Sequence, residues 1–84
     1  MYYVYFLLSK TSTNIYVGYT TDLRKRFREH NNGLHPSTRR YMPWKLYYYE
    51  AYTDEDRAKC RERRLKYHGN AIKELKKRIG IILN

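Results

Sequence analysis

The segments YYVYFLL (residues 2–8) and IYVGY (residues 15–19) decide the fold of this chain. Both are dense in aromatic and branched side chains, which favour β-strands, and the polar residues 9–14 between them predict a loop. The two strands are therefore expected to form a β-hairpin. On one surface of that hairpin Tyr5 and Tyr16 can present their hydroxyls side by side, which suggests chemistry on a phosphate rather than packing alone.

The length and cysteine usage indicate a small protein with a modest core. A chain of 84 residues makes one domain, so we expect a single domain over residues 1–84. The lone Cys60 cannot form an internal disulfide, and residues 1–8 lack a basic leader and are too short to span a membrane. We expect a soluble cytoplasmic protein that is complete as it stands and has no membrane partner.

The formal net charge of +10 points to a polyanionic partner. Residues 1–20 carry only Lys10, whereas residues 21–50 carry seven Lys or Arg against three acids, and residues 51–84 carry ten against five. Basic helix surfaces often serve solvation alone, but here no equal set of acids offsets the charge. Nucleic acid is the favoured partner, ahead of an anionic membrane surface.

The next elements follow from capping and breaking signals. Thr20 or Thr21 is expected to cap a helix that runs from Asp22 to about Asn31, and Gly33 is expected to close it. Residues 32–43 have glycine and proline breaks and no periodicity, so they predict a loop that leads into a third strand over residues 44–51.

Two helices complete the chain. Thr53 and Asp56 have the spacing of a capping box, and the helix that they open is expected to reach Tyr67 or His68 before Gly69 ends it. Asn70 is expected to cap a last helix with an apolar stripe formed by Ala71, Ile72, Leu75 and Ile79. The predicted element order is ββαβαα, an α+β fold.

Helical periodicity selects charged residues that face inward. Arg26 and His30 share the stripe of Leu23 and Phe27 in the first helix, and Glu62 lies between Ala58 and Leu65 on the inward face of the second. A buried Arg26–Glu62 ion pair with a purely structural role would explain two of these residues. Together with His30 and the two tyrosines, they also suggest a phosphodiesterase site, with an acid for a metal and a guanidinium for a phosphate.

The chain resembles the GIY-YIG nucleases, and its small stand-alone members best. Tyr3-Val4-Tyr5 stands where the family has Gly-Ile-Tyr, and Tyr16-Val17-Gly18 stands where it has Tyr-Ile-Gly. The resemblance continues through residues 21–26, His30-Asn31, Ser37-Thr38-Arg39, Pro43-Trp44-Lys45-Leu46, Glu50, Ala58, Glu62 and Lys66. Tyr3 departs from the first glycine of the motif, a position with little chemical role.

This resemblance implies a three-stranded antiparallel sheet flanked by helices, acting as a divalent-metal-dependent endonuclease on DNA. It implies that Glu62 binds Mg²⁺ or Mn²⁺, that Arg26 steadies the phosphate, and that Tyr5, Tyr16 and His30 line the cleft and assist proton transfer. One carboxylate suffices for such a cation, because Mg²⁺ commonly keeps several waters. Either Tyr16 or His30 is a candidate general base, and the sequence does not rank them.

Further basic residues are candidates for contact with the nucleic-acid backbone. Arg39, Arg40 and Lys66 are expected to bind phosphates. The consecutive tyrosines 47–49 are candidates to stack on bases, but strand alternation is expected to turn at least one of them into the core. His35 and His68 are expected to be a surface residue and a helix-end residue, and the histidines and Cys60 show no metal-ligand spacing.

Three classes of function are compatible with these features. The favoured one is a metal-dependent DNA endonuclease with no small-molecule cofactor. The second is a nucleic-acid-binding module of the same fold with little or no turnover, and the third is a structural or interaction protein, for which inward charges have no evident purpose. The sequence leaves open whether RNA is also a substrate, which DNA structure is preferred, and the oligomeric state.

Overall fold

The computed structural model describes residues 1–80, which form a three-stranded sheet and four helices. The strands are β1 (Tyr2–Ser9), β2 (Ile15–Thr20) and β3 (Trp44–Tyr52). The helices are α1 (Leu23–Asn31), α2 (Pro36–Arg39), α3 (Glu55–Tyr67) and α4 (Gly69–Arg78). The sheet is antiparallel with the order β2-β1-β3, which confirms the predicted α+β fold. None of the helices within residues 1–80 has the length and apolar content needed to cross a membrane.

The short helix α2 lies where the sequence predicted only loop. Pro36 occupies its first turn, where the fixed φ of proline suits a helix start and its missing N–H costs no hydrogen bond. A helix of four residues is too short to show a hydrophobic period, so the pattern could not reveal it. The consequence is functional, because α2 places Thr38 in the protein interior.

The helix caps differ from the predicted ones by one or two residues. Asp22, not Thr20 or Thr21, caps α1 by accepting a hydrogen bond from the backbone N–H of Lys25 at 3.1 Å. Asp54 caps α3 in place of Thr53 and accepts from Asp56 N at 2.9 Å. Helix α4 starts at Gly69 without the expected Asn70 cap. Carboxylates serve as caps at least as well as threonine does, so neighbouring candidates compete closely.

Strand alternation divides the sheet into two faces. Tyr5 pairs with Gly18 and Leu7 with Tyr16 across β1 and β2, so these side chains share one surface, here called the tyrosine face. Helix α1 packs on this face through Leu23 and Phe27, in a cluster built around three buried residues, Tyr5, Leu7 and Trp44. The opposite face carries Val4, Phe6 and Val17, which pack against Ala58 and Leu65 of α3 and Leu75 of α4.

A partly buried ion pair fixes α3 to the sheet. Arg61 donates from Nε to one oxygen of Glu50 at 2.9 Å and from Nη2 to the other at 3.1 Å. The hydroxyls of Tyr48 and Tyr52 donate to the same carboxylate at 2.7 and 2.6 Å. Burial alone would raise the pKa of Glu50, but the hydrogen bonds from Arg61 and the two tyrosines outweigh burial and lower that pKa.

Gly18 lets Tyr5 lie flat across β2. A Cβ at this position would overlap the phenol ring and hydroxyl of Tyr5, so any side chain there would displace the ring. Tyr5 is only 1% exposed, which leaves the ring no alternative position at the surface. The glycine of the second motif is therefore a steric requirement of the tyrosine in the first.

Replacing Glu50 by glutamine should destabilise the fold by about 1–3 kcal/mol, because the half-buried Arg61 loses its counter-charge. Since the pKa of Glu50 is lower in the folded state, its contribution is complete above the unfolded pKa of about 4.3 and is lost as the pH falls through the folded pKa. Urea unfolding at several pH values measures this. The exposed Glu74→Gln is the control, and a Glu50→Gln loss that persists in strong acid would contradict the assignment.

Gly18→Ala should lower the free energy of unfolding by about 1–3 kcal/mol, because the new methyl group overlaps the Tyr5 ring. Gly69→Ala is the matched control: nothing lies within 4 Å of its added Cβ, and alanine favours a helix. Chemical unfolding of both variants gives the comparison. Equal stability of Gly18→Ala and wild type would show that Tyr5 does not depend on this glycine.

Candidate active site

Tyr5, Tyr16 and His30 form a cluster on the tyrosine face. The Tyr5 hydroxyl lies 2.8 Å from His30 Nε2. The ring centroid of Tyr16 is 6.2 Å from that of Tyr5 and 5.1 Å from that of His30. Tyr5 and His30 are both 1% exposed, whereas Tyr16 is partly exposed on the edge strand β2.

The backbone accounts for this convergence. Tyr5 and Tyr16 face the same side because the hairpin register pairs them with Gly18 and Leu7. His30 lies in the last turn of α1, seven residues after Leu23 and so on the same inward stripe. Two features of the sequence, the hairpin alternation and the helical period, thus bring together three side chains from three elements.

A second hydrogen bond sets the orientation of the His30 ring. Thr38 Oγ1 lies 2.7 Å from His30 Nδ1 and 3.3 Å from the carbonyl oxygen of His35, which can only accept. If Thr38 donates to that carbonyl, His30 donates from Nδ1 to Thr38, and its Nε2 accepts from the Tyr5 hydroxyl. Every polar proton in this series of three hydrogen bonds then has an acceptor, and we assign to His30 the tautomer that is protonated on Nδ1.

The environment keeps both members of the buried pair uncharged near neutral pH. Burial, together with nearby His35 and Arg26, lowers the pKa of His30 to about 4, although Glu29 opposes this shift. Burial and the neighbouring Tyr16 raise the pKa of Tyr5 well above its ordinary value. Arg26 acts in the opposite direction on Tyr5, and Glu62 adds to the increase. The Tyr5 hydroxyl therefore retains its proton and donates a hydrogen bond to a neutral imidazole.

Arg26 lies beside this cluster and is held by Glu29 rather than by Glu62. Its Nε is 3.5 Å from Glu29 Oε1, and the same oxygen lies 3.0 Å from His35 Nε2. The Arg26 side chain is 38% exposed, so its guanidinium reaches solvent while acting on Tyr5 and His30. The structural ion pair between Arg26 and Glu62 considered from the sequence is not formed.

Glu62 lies on α3, which packs on the opposite face of the sheet, and it is linked to Tyr16 of the edge strand β2 through Lys66. Its Oε1 lies 3.0 Å from Lys66 Nζ, and that ammonium group stands 5.3 Å from the centroid of the Tyr16 ring. The Glu62 side chain is 19% exposed. Its carboxylate is near enough to Tyr5 to raise the pKa of that phenol. Tyr5, Tyr16, His30 and Arg26 therefore lie together, and Glu62 stands within electrostatic reach of Tyr5.

Only a hard cation with few protein ligands fits this arrangement. Within residues 1–80 no group of three or more His, Cys, Asp or Glu side chains could hold a metal. Glu62 offers one carboxylate, which suits Mg²⁺ or Mn²⁺ bound mainly through waters and substrate phosphate. Such an ion would share the carboxylate with Lys66 or displace it from Oε1.

The three residues predicted to bind backbone phosphates lie in two different parts of the structure. Arg39 and Arg40 are exposed at the end of α2, next to the buried Thr38. Lys66, predicted as a phosphate contact, lies at the edge of the cluster, where its ammonium group contacts Glu62 and stands over the Tyr16 ring. His68 and Cys60 are both exposed, Cys60 on α3 and His68 between α3 and α4.

Sequence reasoning missed the support that Thr38 and His35 give to the cluster. The His35 ring lies 4.6 Å from that of His30, so His35 is not simply a surface residue. The usable signal was Pro36, since proline at a helix start predicts a helical turn that carries Thr38 inward.

Comparison with known proteins bears on this site. The family model described as "GIY-YIG catalytic domain" matches residues 1–78. A "UPF0213 protein" of Bacillus pumilus (strain SAFR-032) is 35% identical over 72 residues, which cover 84% of this chain and 74% of the relative. "UPF0213 protein SpyM50708" of Streptococcus pyogenes serotype M5 (strain Manfredo) is 38% identical over 58 residues, which cover 68% of this chain and 63% of the relative.

The match therefore spans less than two thirds of the streptococcal protein. No solved structure matches the chain. The family model, in contrast, includes all five residues of the cluster and nearly the whole described chain. The similarity confirms the resemblance predicted from the two tyrosine motifs, and this chain belongs to the GIY-YIG family.

Proposed function

We propose that this protein is a divalent-metal-dependent endonuclease that hydrolyses phosphodiester bonds in DNA. The observation that carries the proposal is the convergence of a neutral Tyr5–His30 pair, Tyr16, a solvent-reaching Arg26 and the Glu62 carboxylate at the β2 edge. Membership of a nuclease family supports hydrolysis of nucleic acid as the reaction. The net charge of +10 supports a polyanionic substrate.

Arg26 is the residue that we assign to the scissile phosphate. Its guanidinium carries five donors in a fixed plane and matches two phosphate oxygens. Glu29 holds Nε from one side without burying the group, so the guanidinium stays oriented and open to solvent. His35 in turn contacts Glu29 and limits its movement.

Glu62 is the residue that we assign to the cation. A bound Mg²⁺ or Mn²⁺ supplies charge stabilisation on the phosphate and acidifies its water. The protein contributes the position of the carboxylate, which the Glu50–Arg61 contact fixes by holding α3 against β3. When no cation is present, Lys66 neutralises the charge of Glu62. When a cation binds Glu62, Lys66 becomes available to a phosphate.

The proton-transfer roles separate by burial. Tyr5 is buried in the core and donates a hydrogen bond to His30, so we assign it to positioning the reacting groups. Tyr16 is partly exposed on the edge strand, close to Glu62 through Lys66, so we assign it the role of general base: its hydroxyl first releases its own proton to solvent, and the resulting phenolate takes the proton of the attacking water. His30, whose pKa of about 4 makes it a weak base, stabilises the Tyr5 hydroxyl rather than taking the proton from water.

Backbone contacts beyond the cleaved bond are assigned to Arg39 and Arg40. Both are exposed at the end of α2, which is joined through Thr38 to His30. Contacts of this type carry little sequence information, and their binding weakens as the salt concentration rises.

One contact favours a second candidate, a nucleic-acid-binding module with little turnover. Lys66 Nζ already occupies the position 3.0 Å from Glu62 Oε1, so the carboxylate is neutralised without a metal. In such a module Arg26, Lys66 and the exposed arginines of α2 would bind phosphates, and the same residues would catalyse nothing.

The test is cleavage of labelled single-stranded, duplex, flapped and branched DNA, and of RNA, with Mg²⁺, Mn²⁺ or EDTA. We expect metal-dependent cleavage of DNA by the wild type and a loss of roughly 100-fold or more in Glu62→Gln, because the charge that holds the cation is removed. Glu74→Gln, an exposed acid on α4, is the matched control and should cleave normally.

Two results would overturn the proposal. Undiminished cleavage by Glu62→Gln would show that the cation is held elsewhere. Binding of DNA without cleavage by either protein, in any metal, would establish the binding-module function instead.

A further inference from the structure

An open groove of about 500 Å³ lies on the tyrosine face, next to the five-residue cluster but outside it. Tyr3 and Tyr49 form one part of it, Phe27 and Leu46 another, and Arg24 and Asp22 stand at the start of α1. We call this feature the aromatic groove. None of the site residues assigned above lines it.

The aromatic groove adjoins the cluster along β1. Tyr3 precedes Tyr5 by two residues, so both side chains leave the same face of the strand, about 7 Å apart along it. Tyr49 is the direct partner of Tyr5 on β3. Tyr5 itself is 1% exposed, so the phosphate is placed at the solvent-reaching Arg26, and the strand meets the groove after it crosses the N-terminal half of α1.

Helix α1 separates the two features. Leu23 and Phe27 form its inward stripe, and at 100° per residue Arg24 and Arg26 fall on opposite sides of that stripe. Arg26 thus serves the cluster on one flank, while Arg24 stands over the groove on the other. A strand that crosses the N-terminal half of α1 meets a guanidinium on both sides.

The lining of the groove suits a flat aromatic group attached to an anion. The rings of Tyr3 and Tyr49 meet edge to face with centroids 6.0 Å apart, and Tyr49 is 52% exposed. Single exposed tyrosines are common, but here the exposed Tyr49 and the partly exposed Tyr3 border a cavity that also carries apolar Phe27 and an exposed Arg24. Aromatic rings accept any nucleobase by stacking, and guanidinium groups bind the phosphates beside it.

We propose that the aromatic groove takes one unstacked nucleobase of the strand whose phosphate lies at Arg26, across α1 from the cluster, so that the protein prefers unpaired or splayed nucleotides near the cleaved bond. This inference rests on the proposed function for the phosphate at the cluster. In a duplex the same base is stacked and paired, and moving it into the groove costs a few kcal/mol. Single-stranded segments, flaps and branch points avoid this cost.

The test separates base binding from cleavage. The affinities of fluorescein-labelled single-stranded and duplex DNA of one sequence are measured in EDTA, so that no cleavage interferes. Tyr49→Ala should weaken binding of the single strand about 5- to 150-fold, the effect of losing one base stack of about 1–3 kcal/mol, and should change duplex binding less than twofold. Tyr49→Phe, which retains the ring, should bind as the wild type does.

Tyr67→Ala is the matched control, because Tyr67 is 76% exposed on α3, away from the groove. It should leave both affinities unchanged. Equal binding of the single strand by Tyr49→Ala and wild type, or equal losses on single strand and duplex, would overturn the base site. A Tyr49-dependent preference for single strands without metal-dependent cleavage would support the base site while contradicting the proposed endonuclease.

Discussion

The contact between the Tyr5 ring and Gly18, completed by the hydrogen bond from the Tyr5 hydroxyl to His30, is the constraint on which the site depends. A tyrosine in the middle strand of a small sheet would normally point straight up into the covering helix. The absence of a side chain at Gly18 lets the ring lean across β2, so its hydroxyl meets the end of α1. The buried polar pair therefore joins the hairpin to α1 and at the same time defines the floor of the candidate active site.

The opposite face contributes through the register of α3. Arg61 is fixed on β3 by its two bonds to Glu50, and Glu62, the next residue, is turned by 100° toward the β2 edge. An ion pair on one side of the helix thus sets the position of a carboxylate on another. Because this pair is partly shielded from water and two tyrosine hydroxyls also donate to Glu50, it holds the helix more firmly than a fully exposed ion pair would.

Much of this arrangement was predictable because it rests on short periods. Alternation in the strands placed Tyr5 and Tyr16 on one face, and the helical stripes turned His30, Arg26 and Glu62 toward the cluster. The ion-pair partners of Arg26 and Glu62 were not predictable. Arg26 pairs with Glu29 and Glu62 pairs with Lys66, each about one turn away on the same helix. Helix α2 was missed because four residues show no period, and with it the support of His30 by Thr38.

The central claim is that the tyrosine cluster and Glu62 form one metal-dependent centre, and Mn²⁺-induced broadening of NMR signals tests it most directly. The labelled protein is titrated with Mn²⁺ in the presence of a short DNA strand. The account predicts that signals of Glu62, Lys66 and Tyr16 broaden first and that Glu62→Gln abolishes this order, while signals of Tyr48 and Tyr52 change little. Broadening centred on the acidic first turn of α3, around Glu55 and Asp56, or unaltered broadening in Glu62→Gln, would contradict it.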